Sequence, residues 1–183
     1  FISIAAGLSF DWFQSTLNKD IKIIRAMPNL QASVGFGLTG YCQNSNVNEI
    51  DTQDTQELLC AFGKAIYLES EALIDVVTAI SGSGPAYIFY FIKTLVSITR
   101  KSGFESKLAS DLVLSLLHGA SKFLEKNGEE IDSHILRVAS KGGTTEEVLN
   151  YFSSKDRLYN LVSSAITKGS KKSETLRKQF SKV

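Results

Sequence analysis

Cysteine, proline, methionine and tryptophan are all scarce here: two Cys, two Pro, one Met and one Trp in 183 residues. Two isolated cysteines, Cys42 and Cys60, cannot build a disulfide framework. With no second metal-type ligand beside them, they predict reduced thiols and no metal site. The few prolines and the absence of any internal repeat exclude collagen-like and low-complexity chains. An excess of one charge is also missing. Lys and Arg number 20 against 19 Asp and Glu, a net of +1, so nothing draws the whole chain toward nucleic acid or an anionic membrane. The longest apolar run, from Ala86 to Ile92 with Leu95, Val96 and Ile98 beyond, is broken by Lys93 and is too short to span a bilayer. No basic segment precedes an apolar one at the start, so no secretory signal is expected. What remains is an ordinary globular composition, 43% hydrophobic, with length for one or two domains. The first residue is Phe rather than Met, which suggests a processed, trimmed or partial chain.

The balance conceals two halves. Residues 1–90 carry 4 Lys and Arg against 9 Asp and Glu; residues 91–183 carry 16 against 10. Most of the basic excess lies in 168–182, at the end of a predicted helix where cations suit the macrodipole and solvent. It is not interleaved with aromatics, which argues against nucleic acid.

The first half alternates strands and helices. A short strand is predicted over Phe1 to Ala6, a helix over Phe10 to Leu17, a strand over Ile21 to Met27, a Gly-broken strand over Ser33 to Cys42, and a helix over Thr55 to Ala65. This alternation predicts a parallel-sheet α/β architecture. From Ser83 onward only helices are expected. Ser83-Gly84-Pro85 opens one whose run Tyr87 to Ile92 is apolar all round and therefore buried on every side. The next starts at Ser106, carries a stripe of Leu108, Leu112, Leu116, Ala120 and Phe123, and stops at Asn127-Gly128. Shorter helices cover Ile131 to Val138 and follow Thr144. A last long one carries Leu158, Leu161, Ala165, Ile166, Ser173, Leu176 and Phe180. Helices this apolar suggest burial against a partner subunit.

Gly35-Phe36-Gly37-Leu38-Thr39-Gly40 matches a dinucleotide fingerprint literally. That fingerprint works only where a helix N-terminus meets the pyrophosphate, and the helix-poor Tyr41 to Asn46 follows, so it is read as a Gly-rich strand. Ser81-Gly82-Ser83-Gly84-Pro85 is either a capped, tightly crossing turn or a ligand-contacting hinge. It lacks the glycine spacing of a nucleophile elbow. His118 lies within a helix, and His134 near the end of the chain's middle helices. The most informative stretch is Ser140 to Glu147, where Thr144 and Glu147 fit a capping box and Gly142 and Gly143 free the backbone. It is either a plain capped turn or a helix N-terminus that holds a small carboxylate through N–H groups and hydroxyls.

Four segments then stand in a telling order: Phe1-Ile2-Ser3-Ile4-Ala5-Ala6-Gly7, Arg25-Ala26-Met27-Pro28-Asn29, Ser81-Gly82-Ser83-Gly84-Pro85-Ala86-Tyr87 and Lys141-Gly142-Gly143-Thr144-Thr145. Along essentially the whole chain this order resembles the pyrroline-5-carboxylate reductase family. The resemblance implies an α/β remnant over 1–80, the later part of a Rossmann NAD(P)-binding domain with a parallel sheet. Over 81–183 it implies an all-α dimerisation and substrate-binding domain, like the C-terminal domain of 6-phosphogluconate dehydrogenase. It further implies reduction of 1-pyrroline-5-carboxylate to L-proline with hydride from NADPH or NADH. Ser140, Gly142, Gly143, Thr144 and Thr145 would hold the substrate, a cyclic imino acid. Thr145 would lie by its ring nitrogen, and Glu71 would favour its iminium form. Ala5, Ala6, Gly7, Met27, Pro28 and Asn29 would line the nicotinamide side, at the carboxyl ends of their strands. The implied protein is a cytoplasmic homodimer or larger assembly with no metal, nucleic-acid or membrane partner. The family's first Rossmann half, with its glycine fingerprint and ribose-reading residues, is absent from this sequence, so the chain alone is expected to be inactive. Leu30-Gln31 stands where the family has Thr-Pro, and Lys141 where many relatives have Pro; Arg137 and Ala139 also depart from its small polar residues. A non-catalytic oligomerisation module and a related imine or β-hydroxyacid reductase are the competing expectations.

Overall fold

β2 (Ile24–Met27) is buried at all four positions, the pattern of a strand covered on both faces. The computed structural model that shows this describes residues 1–128 and 130–180, apart from the side chains of residues 176, 177 and 180. Leu176 and Phe180, expected on the last helical stripe, and Lys182 of the basic run therefore lie outside the described side chains. Around β2 stand β1 (Ile2–Ser3), β3 (Gly37–Gln43) and β4 (Gly63–Tyr67), in the order β1-β2-β3-β4. Helices α1 (Phe10–Thr16), α2 (Glu49–Cys60) and α3 (Ala72–Val77) accompany them. On one face Ile24, Ala26 and Tyr41 pack with Leu59 of α2; on the other Met27 and Cys42 pack with Ile74 of α3 and with Phe10.

The sheet is mixed rather than wholly parallel. β1 with β2 and β3 with β4 are parallel, but β2 and β3 are antiparallel, with Arg25 opposite Cys42 and Met27 opposite Gly40. The reason is connection length. Only Pro28 to Phe36 join the two strands, with a 3₁₀ turn at Leu30–Val34, and that is too short for a crossover. The Gly35 to Gly40 sequence lies in this turn and in β3, and no helix begins there.

The helix expected over Thr55 to Ala65 is displaced. α2 starts at Glu49, because Asn48 and Asp51 form a reciprocal capping box, and it ends at Cys60. β4 then follows, a strand that periodicity had absorbed into the helix. Its first residue, Gly63, has φ +137°, and a Cβ there would stand 2.1 Å from the Gly37 carbonyl oxygen. Only glycine fits that approach.

Beyond the sheet come α4 (Gly84–Lys101), α5 (Ser106–Asn127), α6 (Ile131–Val138), α7 (Thr144–Ser153) and α8 (Arg157–Phe180). The chain forms two compact units, Phe1–Tyr87 together with the chain from Ser164 on, and Ile88–Ser163. α4 opens at Gly84, where the Ser83-Gly84-Pro85 start was expected, but Ser83 itself has helical backbone (φ −88°, ψ −16°). α3, a π turn (Thr78–Gly82) and α4 therefore follow one another as one helical stretch, Ala72–Lys101. By length and composition that stretch suffices to cross a membrane, which a count of unbroken apolar residues misses. Its front end nonetheless sits in protein, with Ile74 1% and Ala79 2% exposed. The expected burial of α4 on every side is not met within this chain. Tyr87 is 39% exposed and Tyr90 71%, with Ile88, Phe89 and Phe91 between those values. Likewise α5 buries Ala109 and Val113 and leaves its predicted stripe of Leu108, Leu112, Leu116 and Phe123 exposed. The boundaries of α5 and α6 otherwise fall where capping and periodicity put them.

Gly63→Ala is expected to lower the unfolding free energy by about 2–4 kcal/mol, from strain and overpacking together. Gly84→Ala, at an ordinary φ with nothing within 4 Å, is expected to change it by about 0.5 kcal/mol or less. Urea titration of both variants measures the contrast.

Candidate functional site

The sequence-predicted site residues fall into two sets, one in each unit. In the first unit β1 and β2 are parallel neighbours, so their carboxyl ends reach the same sheet edge. Ala5 and Ala6 are exposed there, Met27 is buried, and Pro28 and Asn29 are half-buried. Asn29 is already committed. Its Oδ1 accepts from the Leu38 N–H at 3.1 Å, and its Nδ2 donates to Ser81 Oγ at 3.1 Å. It thus straps the end of β2 to β3 and to the π turn, and its carbonyl accepts from the Ala32 N–H at 3.1 Å. Ser81 has the structural half of its two expected roles.

Two residues before Met27, Arg25 is 2% exposed within the sheet. Its Nη1 donates to Glu71 Oε1 at 2.7 Å, and the Phe10 N–H donates to the same oxygen at 2.7 Å. Arg25 Nε is buried without a hydrogen-bond partner among the described residues. Glu71, which the resemblance puts near the substrate, thus has its charge matched by a guanidinium within the first unit. Removing one member of such a pair costs about 3–5 kcal/mol, because it strands the other. Sequence reasoning passed over Arg25, although a charged residue inside a strand of otherwise apolar buried positions demands a partner.

The second set lies in the second unit. Ala139 ends α6 in extended backbone, and a four-residue turn, Ser140 to Gly143, leads into α7. The Gly143 N–H donates to the Ser140 carbonyl at 2.9 Å. Gly142, third in the turn, has φ +71°, the type II conformation that calls for glycine. A Cβ on Gly143 would lie 2.5 Å from Ser140 Oγ. The predicted capping box does not form. Gly143 is the N-cap and Thr144 the first helical residue, so the Thr144 hydroxyl stands past the capping position. Glu146, not Glu147, reaches back: its Oε2 accepts from the Gly142 N–H at 2.6 Å. Both glycine N–H groups expected to face a ligand are thus engaged internally. The helix geometry leaves the Thr144 and Thr145 N–H groups without intrahelical acceptors. A carboxylate already sits at this helix start, where the dipole favours negative charge.

Thr145 also lines a cavity of about 590 Å³ whose walls include Phe123, Leu124 and Leu149, with His134 and Arg137 as further polar groups. The His134 ring stands edge-on to Phe123, centroids 5.1 Å apart, and both its nitrogens are buried without partners among the described residues. The Arg137 guanidinium lies 5.8 Å from the same ring. Apolar walls with a hydroxyl, an imidazole and a cation suit a small ring that carries a carboxylate. The signal for His134 and Arg137 was available, since residues three apart share a helix face. Among the described residues no three of His, Cys, Asp and Glu converge as metal ligands.

Known proteins resemble the chain in sequence and in fold. Residues 71–176 match the family model described as pyrroline-5-carboxylate reductase dimerisation. A pyrroline-5-carboxylate reductase of Aquifex aeolicus is 36% identical over 154 residues, which are 84% of this chain and 58% of that protein. One from Pseudomonas aeruginosa is 34% identical over 179 residues, 98% of this chain and 65% of its own length. The chain thus spans less than two thirds of either relative. Among solved structures, the Plasmodium falciparum pyrroline carboxylate reductase with NADP bound superimposes with a TM-score of 0.89 at 30% identity, over 96% of this chain and 66% of that one. The Streptococcus pyogenes enzyme gives the same TM-score at 30% identity, over 95% and 66%.

Burial pushes the Cys42 thiol up from its ordinary 9.0 to about 11; Glu71 adds to the rise and Arg25 opposes it. Iodoacetamide at pH 8 is therefore expected to label exposed Cys60 and spare Cys42 in the folded chain, with both labelled in urea. Mass spectrometry counts the adducts. Because the fold favours the neutral thiol, this contribution to stability is complete below about pH 9 and is lost as pH rises through about 11. The urea midpoint should fall across that window.

Proposed function

This chain belongs to the pyrroline-5-carboxylate reductase family, and on that footing we propose that the protein carrying it reduces 1-pyrroline-5-carboxylate to L-proline. The observation that carries the proposal is the Ser140 to Thr145 turn. It is a helix start that already accommodates one carboxylate, with Thr145 at the wall of an apolar cavity. The substrate is a small ring with one carboxylate, and the turn offers matching groups. Its carboxylate would be received by the Thr144 and Thr145 N–H groups and by the Ser140 and Thr144 hydroxyls. The Gly142 N–H becomes available once Glu146 turns away, and Gly143 shapes the turn. The Thr145 hydroxyl would hold the ring nitrogen, fixing the plane of the C=N bond and the place where the proton resides.

Ala5, Ala6, Gly7, Met27, Pro28 and Asn29 fit the nicotinamide end of a dinucleotide. They close two parallel strands at one edge, and the exposed alanines put no bulk in the way. Bound NADPH or NADH supplies the hydride that reduces the imine carbon. The residues that read the ribose are not in this set, so either cofactor suits it. Among the described residues the Gly35 to Gly40 strand offers no helix start for a pyrophosphate. The exposed apolar faces of α4 and α5 would be covered by a second copy of the chain, giving a homodimer or larger assembly.

The full-length gene product is expected to oxidise NADPH or NADH only when the pyrroline substrate is present. Thr145→Ala should lower kcat by about 10- to 100-fold with the oligomer intact. Unchanged kinetics in that variant would remove Thr145 from the mechanism. A wild-type protein that reduced a β-hydroxyacid precursor instead would shift the substrate class, and one that reduced neither would favour an oligomerisation module. The 183-residue chain on its own is expected to associate and to reduce nothing; a stable monomer in light scattering would contradict the covering of α4 and α5.

A further inference from the structure

We propose that Glu71 is a positioning residue for the cofactor edge, acting through Arg25 and the Phe10 N–H rather than on the substrate. The proposal rests on the nicotinamide assignment made above. One oxygen, Glu71 Oε1, receives two donors from two different segments, each at 2.7 Å. The Phe10 N–H lies three residues beyond Gly7, at the first residue of α1, where the connection from β1 ends. Arg25 lies two residues before Met27, on β2. Both segments that line the nicotinamide side are thus fixed to one carboxylate at the start of α3. Arg25 is 2% exposed and its side chain pairs with Glu71 alone among the described ion pairs, so displacing the carboxylate frees the strand and the connection together. Its effect is geometric.

Cys42 stands opposite Arg25 across the β2–β3 ladder and reports on the pair. Glu71 raises its thiol and Arg25 lowers it. The two partners therefore push the reporter in opposite directions, whereas simple loosening of the core would bring the thiol toward its ordinary value in either variant.

The test uses the full-length gene product. Glu71→Gln keeps an oxygen acceptor for the Phe10 N–H and removes the charge; Arg25→Met keeps the bulk and removes the cation. Each is expected to raise KM for the dinucleotide about tenfold while KM for the pyrroline substrate stays within about twofold. The pH midpoint of Cys42 alkylation should fall in Glu71→Gln and rise in Arg25→Met. A KM change confined to the pyrroline substrate, or a midpoint that falls in both variants, overturns the proposal. Should either single variant fail to fold, the double variant Arg25→Met/Glu71→Leu removes both charges at once. It is expected to keep its near-UV circular dichroism and still show the raised dinucleotide KM, and a wild-type KM there would overturn the proposal. If the wild type reduces no pyrroline, the assigned reaction fails separately. Fluorescence titration with NADPH then decides the positioning role, which stands if both variants weaken binding and falls if neither does.

Discussion

A guanidinium in the middle of a covered strand must be met by a negative charge, and the compensated pair is worth less to net stability than to geometry. Arg25 imposes that requirement on β2, and Glu71 answers it from the start of α3. A second tie lies four residues along the chain, just past the end of β2, where Asn29 Nδ2 donates to Ser81 Oγ on the π turn. Four strand residues span about 13 Å. Ten helical residues, the separation of Glu71 from Ser81, span about 15 Å. The spans agree, so one helical stretch lies along β2 and holds it at both ends. The π turn belongs to this arrangement, with Tyr87 donating from its hydroxyl to the Ala79 carbonyl at 2.8 Å inside it. Ile74 fills the space beneath, against Met27 and Cys42. The conformation of Met27, Pro28 and Asn29 follows from these ties and not from the sheet alone, since β2 ends where they begin.

The second set is built on a different principle. Among the described residues no buried ion pair organises the Ser140 to Gly143 turn; backbone geometry does, with a left-handed residue at Gly142 and no room for a side chain at Gly143. Glu146 then occupies the position an incoming anion would take. A carboxylate on the same helix can sit there without the loss of freedom that a separate ligand suffers. On the proposed function, a substrate anion would displace this tethered competitor, gaining Gly142 while Glu146 returns to water. The proposed ring, set against Phe123 and Leu149, would supply the apolar contact that Glu146 lacks.

Much of this was legible in the sequence, and the failures have identifiable causes. α5 and α6 were readable because Ser106, Gly128 and the apolar spacing agree with one another. β4 was not, because Ala65 and Ile66 continue the apolar spacing of α2, and only Gly63 marks the break. The antiparallel step was hidden because alternation of strands and helices says nothing about strand direction where a connection is short. The glycines of Lys141 to Thr145 announced a special turn, but their sequence could not say whether Glu146 or Glu147 would turn back. Glu71 was singled out from a resemblance, and its partner Arg25 lies 46 residues away, a distance at which no local pattern operates. The four motifs that carried the family resemblance include Arg25 and Asn29, both of which tie segments together. Part of what makes those motifs recognisable is thus support of the site and not contact with a ligand.

The contrast between the units bears on how the protein holds together. The first has a core on each face of its sheet, from Ile24 and Tyr41 on one side to Met27 and Ile74 on the other. In residues 88–163 the described buried hydrophobics are Ala109 and Val113, two small side chains in α5. The missing apolar burial is present in the sequence, as Phe89, Phe91, Leu108, Leu112, Leu116 and Phe123, but it faces outward in the single chain. Those faces fit the proposed association with a second copy of the chain. The cavity beside the Ser140 turn is walled by Phe123 and Leu124 of α5. Covering of α5 by that second copy would therefore also support the proposed substrate site. The near-neutral net charge of +1 is in keeping with that, since little self-repulsion opposes the meeting of two copies.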